Sequence, residues 1–288
     1  IERPRVVILG AGPAGVGAAY RLMQHNRFDV TILERNEVVG GNAGSFALGG
    51  LNVDYGSHRL HPSCDPQVFT DIRTLLGDDL LERPRHGRIH LKGRWIHFPL
   101  KPADLMMRVS PMFAFGVGLD LLKKMRGFRL DTETRESFAT VLEAGLGGTI
   151  CRDFYFPYAR KLWGVEPDVL SGTQAKRRVQ ASSLSKMFRK ILGMRPGGQQ
   201  GKRGIFYYPR GGFGQITEAY SKAAEAAGAK ILFKTSVGSL QVAGNRVHTV
   251  VAERGGKEMR IPCDHVWSTI PLTALVRSLH PAAPPDVL

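Results

Sequence analysis

The glycine-rich turn from Gly10 to Gly15 constrains the fold of this chain more than any other feature of the sequence. It follows Arg5 to Leu9, an apolar run that predicts a buried strand, and it leads into Ala14 to His25, which predicts a helix. A second parallel strand is predicted from Phe28 to Leu33. The chain therefore begins with a strand–helix–strand unit, the building block of α/β folds.

The turn reads Gly-Ala-Gly-Pro-Ala-Gly and has the GxGxxG spacing of dinucleotide-binding turns. Gly10 permits the tight turn, Gly12 lets a pyrophosphate approach the backbone, and Gly15 lets the helix pack closely on the strand. Pro13 and Ala14 lie at the start of the helix, whose N-terminus offers free N–H groups and a positive dipole to phosphates. The turn therefore predicts a dinucleotide site.

An acidic residue, Glu34, ends the second strand of this unit. A carboxylate at that point can accept hydrogen bonds from ribose hydroxyls, and it would repel a 2′-phosphate, so NADP is disfavoured. Arg35, the next residue, either packs on an adenine ring or is solvated. NAD and FAD share these features, so this part of the sequence does not separate them.

A second glycine motif, with Gly40, Gly41, Asn42 and Ala43, follows in the passage ERNEVVGGNAGSF. It resembles the loop that lies along the flavin pyrophosphate and ring in the amine oxidase and protoporphyrinogen oxidase superfamily of flavoproteins. Most members read GGR here, whereas GGNA is more similar to UDP-galactopyranose mutases. The resemblance implies FAD as the cofactor. The alternative is a loop that needs glycine only for its positive φ angles.

The segment Val53 to Pro62 extends the resemblance. It is similar to the D-x-G-x-H segment of the same superfamily, which passes close to the flavin ring, and to the G-x-H-x-x-H of the mutases. By that match Gly56, Ser57 and His58 lie beside the flavin, with His61 as a companion. A histidine there can donate to the flavin or act as an acid or base near neutral pH. The alternative is a pair of structural loop histidines.

Three later segments complete the resemblance. Val237 matches a valine whose backbone holds adenine in this superfamily, and Val266 to Pro271 resembles the strand that returns beneath the FAD. Tyr208 to Gly214 resembles the superfamily's YPxGG segment, which opens a helix in the substrate half. Its glycines are equally consistent with a simple helix-entry turn.

These patterns predict an α/β fold with a Rossmann-like FAD-binding domain of the GR2 type, a mostly helical insertion and a mixed α+β substrate domain. The predicted domain boundaries are 1–65 with 205–272 for the FAD-binding domain, and 66–204 for the helical substrate insertion. Residues 66–81 and most of 102–192 predict helices, Gly193 to Gly204 predicts a mobile loop, and Gly244-Asn245 and Gly255-Gly256 predict turns between strands. Residues 273–288 are predicted to begin a truncated segment. The superfamily has a further C-terminal glycine turn that completes the flavin site, so we expect truncation and weakened flavin affinity.

The formal net charge is +15, and no acidic residue occurs between Asp168 and Glu218. Such a basic stretch favours an anionic small-molecule substrate or an anionic membrane surface, although it is also consistent with a solvated face and a basic loop. No nucleic-acid motif accompanies the charge. The candidate substrate-binding residues are Arg160, Arg177, Arg178, Tyr208 and Arg210.

The sequence leaves three functions open. The first is hydride transfer from a C–N or C–C bond of an organic substrate to flavin, as in an oxidase or dehydrogenase. The second is a UDP-galactopyranose mutase-like reaction of reduced FAD with a nucleotide sugar, favoured by GGNA and the basic stretch. The third is a non-catalytic nucleotide-binding scaffold. No lysine can be assigned the position beside the flavin that amine oxidases typically use.

The sequence also predicts a compartment. Cys64, Cys151 and Cys263 lie far apart, which argues against a metal site or a disulfide framework and fits a reducing environment. No signal peptide is visible, and no uncharged apolar run reaches the ~18 residues of a membrane-spanning helix. We therefore expect a cytoplasmic protein, with peripheral membrane contact and oligomeric state left open.

Overall fold

The computed structural model describes residues 2–91, 93–98, 110–125, 136–179 and 204–287. Two compact units divide the chain, the first made of Ile1–Arg85 with Lys202–Leu288 and the second of His86–Gly201. Residues 180–203 lie outside the described residues. They include the end of the predicted helical stretch and all of the predicted loop from Gly193 to Gly204 except Gly204.

Fourteen strands are formed by the described residues: β1 Arg5–Leu9, β2 Asp29–Leu33, β3 Ser45–Leu48, β4 Leu51–Asp54, β5 Leu80–Pro84, β6 Gly87–Leu91, β7 Arg94–Phe98, β8 Ile205–Pro209, β9 Lys230–Leu232, β10 Thr235–Ala243, β11 Arg246–Arg254, β12 Lys257–Pro262, β13 His265–Ser268 and β14 Leu279–His280. The longer helices are α1 Pro13–Gln24, α2 Pro66–Leu76, α3 Pro111–Met125, α4 Phe138–Leu146, α5 Phe156–Trp163, α6 Gly172–Val179, α7 Gly214–Ala226 and α8 Leu272–Arg277.

The first unit is built on a parallel sheet with the strand order β13–β1–β2–β9. Val7, Ile8 and Leu9 of its central strand are almost completely buried, because both faces of the sheet are covered. On one face Ile8 packs in a cluster with residues of α1, α2 and α7. On the other face Val7 and Leu9 pack with residues of β10 and β11. A parallel sheet covered on both faces requires such a continuous apolar strand, and the predicted α/β fold is confirmed.

A second sheet, with the order β12–β11–β10–β14, covers that other face. Its antiparallel strands turn at Gly244 and Gly255, both of which have left-handed φ angles of +58°. Only glycine adopts such angles without steric cost. The turns predicted at these two positions are confirmed.

The compact units divide the chain at other residues than the sequence predicts. Helix α2 ends at Gly77, which has a φ of +54°, instead of continuing to residue 81, and the chain then forms β5. Because α2 packs in the first core and β5 pairs with β8, the first unit extends to Arg85 and the second begins at His86. At the C-terminal side, β14 pairs with β10 and joins the same unit.

The second unit contains the hairpin β6–β7 and helices α3 to α6. Its core is a cluster in which Phe113, Phe138 and Leu142 are buried. Helix α4 begins at a capping box, where Ser137 and Thr140 exchange hydrogen bonds between side chain and backbone. Such a box satisfies N–H groups that the first helical turn leaves without partners. The predicted helical character of this part is confirmed for the described residues, and its role as a substrate domain stays a prediction.

Candidate functional site

The glycine-rich turn connects β1 to α1 at the carboxyl end of the parallel sheet. Gly10 has a φ of +97°, and its N–H donates to the Leu33 carbonyl at 2.9 Å. A Cβ atom on Gly15 would lie 1.9 Å from the Gly10 carbonyl oxygen, so only glycine lets the helix approach the strand this closely. A Cβ on Gly12 would meet nothing within 4 Å. The space over Gly12 is therefore open, as a bound diphosphate requires.

The N-terminus of α1 faces this open space without a protein cap. Gly12 is the N-cap residue and makes no side-chain hydrogen bond to the first turn, and Pro13 occupies the next position. Ala14 is exposed. Uncapped first-turn N–H groups at the end of a twelve-residue helix attract an anion through both hydrogen bonding and the helix dipole. The turn therefore fits the phosphates of a dinucleotide.

Glu34 is buried directly beneath the turn, with 5% of its surface exposed. Its two carboxylate oxygens accept hydrogen bonds from the backbone N–H groups of Ala11 at 2.8 Å and Asn36 at 2.9 Å. Glu34 thus fixes the turn to the end of β2. A carboxylate has about four acceptor positions, so two remain for ribose hydroxyls. Arg35 beside it is exposed.

The second glycine motif lies against the first. The N–H of Gly40 donates to the Ala11 carbonyl at 2.9 Å, and a Cβ on Gly41 would lie 3.4 Å from the Cα of Gly12. Gly40 and Gly41 have left-handed φ angles of +120° and +50°. Their conformation brings two motifs that are distant in sequence into one cradle. The neighbouring Asn42 is exposed, and Ala43 is buried.

His58 lies against this loop and not in free solvent. Its Nε2 is 2.8 Å from the carbonyl oxygen of Asn42, and its ring stacks on Phe213 with centroids 5.3 Å apart. Because a carbonyl only accepts hydrogen bonds, Nε2 carries the proton and Nδ1 is the basic atom of the neutral ring. A Cβ on Gly56 would lie 2.8 Å from His58 Nε2, which explains glycine there. Exposed Ser57 precedes the ring.

His61 has a different set of partners. Its Nδ1 accepts a hydrogen bond from the backbone N–H of Ser63 at 3.1 Å and lies 2.6 Å from the Ser63 hydroxyl. The ring is therefore held by its own exposed loop, while His58 is held by the glycine motif. This geometry favours His58 over His61 as the residue beside the cofactor, and a catalytic role for either one stays a prediction.

Asp54 organises the loop around His58, a role that sequence reasoning missed. Its Oδ1 accepts from the Ser45 hydroxyl at 2.6 Å and from the Phe213 N–H at 2.9 Å, and its Oδ2 accepts from the Tyr208 hydroxyl at 2.7 Å. The Ser45 hydroxyl in turn accepts from the Gly214 N–H at 2.9 Å. One carboxylate thus ties the second glycine motif to the YPxGG segment.

These hydrogen bonds change the acidity of both partners. Burial acts to raise the pKa of Asp54, but hydrogen bonds from Ser45, Tyr208 and Phe213, together with nearby His58, outweigh it and leave that pKa below its usual value. Burial, followed by the hydrogen bond to Asp54, raises the pKa of Tyr208 to about 12. The pair therefore consists of a carboxylate and a neutral phenol near neutral pH.

Two strands approach the turn from the other side. Thr269, at the end of β13, donates its hydroxyl proton to the Leu9 carbonyl at 2.8 Å and would lie 2.8 Å from a Cβ on Gly10. Among the described residues, Ser268 carries the one buried side-chain polar atom without a hydrogen-bond partner. Thr235 donates its N–H to the Glu34 carbonyl at 2.9 Å. Val237 lies two residues further along β10 from this contact.

The three predicted substrate-binding side chains that the structure describes are each engaged by an acidic partner. Arg160 belongs to the second unit and pairs with Glu166. Arg210 pairs with Asp79, and Tyr208 is held by Asp54 as described above. Arg177 and Arg178 lie on helix α6, and their side chains are outside the described residues. Their roles in substrate binding stay predictions.

Two kinds of feature are absent from the described residues. None of the described helices is long and apolar enough to cross a membrane. In the same part of the chain, no group of three or more His, Cys, Asp or Glu residues is arranged to hold a metal ion. Cys64, Cys151 and Cys263 are free thiols, and burial raises the pKa of Cys151 to about 12.

The family model described as flavin-containing amine oxidoreductase matches residues 13–287. The chain belongs to this family. The match covers the helix after the first glycine turn, the second glycine motif and all of β8 to β14. Membership in a flavin-containing family confirms the resemblance found in the sequence, and it confirms FAD as the predicted cofactor.

This chain is similar in sequence to enzymes with different names. A phytoene dehydrogenase of Streptomyces griseus is 26% identical over 307 residues, which cover 95% of this chain and 55% of the relative. Protoporphyrinogen oxidase 2 of Arabidopsis thaliana is 28% identical over 182 residues, covering 59% of this chain and 35% of the relative. This chain therefore spans about half the length of the phytoene dehydrogenase it matches.

Solved structures share the fold. A reduced UDP-galactopyranose mutase superposes with a TM-score of 0.76 at 24% identity, covering 97% of this chain and 57% of the mutase chain. Cyclohexylamine oxidase from Brevibacterium oxydans superposes with a TM-score of 0.58 at 20% identity, covering 99% and 62%. At these identities the likeness concerns the fold, and the predicted Rossmann-like architecture is confirmed by it.

Proposed function

We propose that this chain carries the FAD-binding core of an oxidoreductase that transfers hydride from an organic substrate to flavin. The observation that supports this most directly is the joining of the two glycine motifs, with Gly41 against Gly12 and the Gly40 N–H on the Ala11 carbonyl. The cradle is open over Gly12 and ends at an uncapped helix N-terminus. A diphosphate-linked cofactor fits both features.

When bound, FAD supplies the acceptor for two electrons and a proton, taken together as hydride. The residues of this chain have complementary roles in the proposal. Gly12 and the first turn of α1 bind the diphosphate, and Glu34 orients the ribose through its two remaining acceptor positions. His58 Nδ1 is the candidate acceptor for the second proton that an oxidised substrate releases. Asp54 positions His58 by fixing the segments on either side of it.

A mutase-like reaction of reduced FAD is the second candidate. It is supported by the GGNA sequence and by the fold shared with a reduced UDP-galactopyranose mutase. The two reactions differ in redox balance, because a mutase returns flavin to its starting state whereas hydride transfer consumes an oxidant. The third candidate, a non-catalytic nucleotide-binding scaffold, predicts nucleotide binding without turnover.

Titration of the chain with FAD is expected to shift the flavin absorbance and quench its fluorescence, a readout at equilibrium that also detects weakened binding. Amine and alcohol substrates and unsaturated precursors are then screened under anaerobic conditions, and bleaching of that absorbance is expected with at least one class. Hydrogen peroxide formed on readmission of air identifies an oxidase. Activity that depends on dithionite-reduced flavin without net redox change would instead support the mutase. A chain that takes up no FAD even at saturating concentration contradicts both flavin reactions.

We further propose that the second unit contacts an anionic membrane surface through helix α3. Four apolar side chains at helical spacing form an exposed stripe on this helix, between 41% and 81% exposed: Met112, Phe115, Leu119 and Leu122. The opposite face is buried through Phe113 and Val117. The helix also bears exposed Lys123, and its acidic residue Asp120 is turned toward the Thr149 N–H. An apolar stripe beside basic charge suits anionic lipid.

Co-sedimentation with vesicles containing phosphatidylserine is expected at low salt and is expected to weaken at high salt, because the basic charge is screened. Replacing Phe115 by serine should lower the partition coefficient about tenfold, since burial of such a side chain contributes about 1.5–3 kcal/mol. The matched control is Val169→Ser, which removes another exposed apolar side chain of the same unit. Equal binding of both variants would show that the stripe does not insert.

A further inference from the structure

An open cleft of about 280 Å³ lies next to His58 in the first unit. Its walls include one carboxylate, two guanidinium groups and an aromatic pair; the lining residues are Asp54, Ser57, His58, Arg59, Arg83, Phe206 and Tyr208. The cleft therefore adjoins His58, which the proposed function makes the candidate proton acceptor.

The strand register explains why these side chains meet. Phe206 and Tyr208 alternate with Tyr207 along β8, so they project from one face of the strand. Arg83 pairs directly with Phe206, and Leu60 bridges to Tyr207, which sets Arg59 opposite Tyr208. Tyr207 instead contacts Phe69 of α2. Both arginines consequently lie on the cleft side of β8.

The two guanidinium groups have no anionic partner within the described part of the chain. The Arg59 guanidinium lies over the Phe206 ring, 5.2 Å from its centroid, a contact that leaves its N–H donors available. Arg210, in contrast, pairs with Asp79. The carboxylate in the wall, Asp54, has both oxygens occupied by hydrogen bonds.

We propose that Arg59 and Arg83 form an oxyanion subsite that binds a carboxylate or phosphate group of the substrate. Two guanidiniums and one carboxylate give the lining a net positive charge, and guanidinium groups match the planar geometry of a carboxylate with paired donors. Phe206 orients Arg59 by stacking, and the Tyr208 phenol is held by Asp54. This inference rests on the proposed function for the identity of the ligand as substrate.

A purely structural role for the two arginines is less consistent with these contacts. Both side chains are exposed and water can satisfy their donors, so the feature that distinguishes them is their shared position in the wall of one cleft. Arg59 has only the aromatic contact among the described residues, and Arg83 faces the same cleft. Their shared side of β8 therefore places two cations in the wall of one space large enough for a small organic group.

Three probes of similar shape test the subsite: benzoate, phenyl phosphate and the uncharged benzamide. Binding to the FAD-treated chain is followed by isothermal titration calorimetry and by the flavin difference spectrum. Benzoate or phenyl phosphate is expected to bind at least about tenfold more tightly than benzamide, because the charged hydrogen bonds are lost with the amide. The anion that binds more tightly indicates whether the subsite prefers a carboxylate or a phosphate.

Variants then assign the contact to particular residues. Arg59→Gln and Arg83→Gln are each expected to weaken anion binding about tenfold without changing benzamide binding. Arg59→Lys should recover only part of the loss, because lysine keeps the charge but not the paired donors. The matched control is Arg246→Gln, an exposed arginine at the start of β11.

The outcomes separate this inference from the proposed function. Equal binding of all three probes, or unchanged anion binding in both glutamine variants, overturns the oxyanion subsite even if the protein is yellow. A colourless protein that still binds benzoate through Arg59 and Arg83 overturns the proposed function and keeps the subsite, since calorimetry does not need flavin. Loss of binding in Arg246→Gln equal to that in Arg59→Gln would show general charge screening and also overturn the subsite.

Discussion

Replacing Gly12 by alanine is expected to weaken FAD binding about tenfold to a hundredfold while leaving the protein folded. A Cβ atom at this position meets nothing within 4 Å, and Gly12 has an extended conformation, with φ −72° and ψ 178°, that alanine also adopts. The added methyl group occupies the space of the diphosphate and holds it away from the first-turn N–H groups. Each charged hydrogen bond lost is worth about 1.5–3 kcal/mol. Fluorescence titration with FAD measures the change.

The same methyl group placed three residues later is expected to lower the stability of the fold. In Gly15→Ala the new Cβ would lie 1.9 Å from the Gly10 carbonyl oxygen, so α1 must move away from β1. Overpacking of this kind costs about 1–3 kcal/mol, which urea denaturation detects as a shifted midpoint. Gly17→Ala serves as the control within the same helix, because its Cβ meets nothing and alanine stabilises a helix by about 1 kcal/mol relative to glycine.

The matched set distinguishes a ligand-binding glycine from a packing glycine. If Gly12→Ala retained full FAD affinity, the open space above the turn would not hold the diphosphate. If Gly15→Ala were as stable as the parent protein, the close approach of helix and strand would not depend on glycine. The loss of Gly12 at the N-cap itself is expected to change stability by only a few tenths of a kcal/mol to about 1 kcal/mol, since neither residue has a capping side chain.

The first glycine turn could be predicted from sequence because its geometry is local. Gly10, Gly12 and Gly15 act within one strand–turn–helix unit, and the spacing of the motif encodes that unit directly. The strands β10 to β12 were predictable for a similar reason, since their turns fall at glycines with left-handed angles. In each case the residues that decide the structure are neighbours along the chain.

The contacts made by distant residues could not be predicted in the same way. Asp54 acts through Tyr208 and Phe213, more than 150 positions away, and no spacing rule connects them. The boundary near residue 85 depends on pairing between β5 and β8, which a helical pattern for residues 66–81 conceals. Arg59 and Arg83 gain significance only when the register of β8 sets them on one side. Long-range pairing is the information that a single sequence lacks.

Replacing Asp54 by alanine is expected to lower the free energy of unfolding of the first unit by about 3 kcal/mol, because three donors lose their acceptor at once. Each hydrogen bond to a charged group contributes about 1.5–3 kcal/mol, and water replaces part of this loss. Ser45 and Phe213 would be freed on either side of the second glycine motif. FAD affinity should therefore fall as well. Tyr208→Phe, which removes only one donor, is expected to cost about 1 kcal/mol.

The dependence of this effect on pH identifies the charged form of Asp54 as the stabilising one. Its pKa is lowered in the folded protein, so the stabilisation is complete above the unfolded-state pKa of about 3.9 and is lost as pH falls through the lower folded-state pKa. The stability difference between the parent protein and Asp54→Ala, measured by urea denaturation, should consequently be constant between about pH 5 and 7 and shrink on further acidification. Asp54→Asn separates charge from shape, because its amide keeps one acceptor oxygen and removes the titration. A difference that grew toward low pH would mean that the carboxyl group is protonated in the native network, with Tyr208 and Ser45 held by a neutral acid.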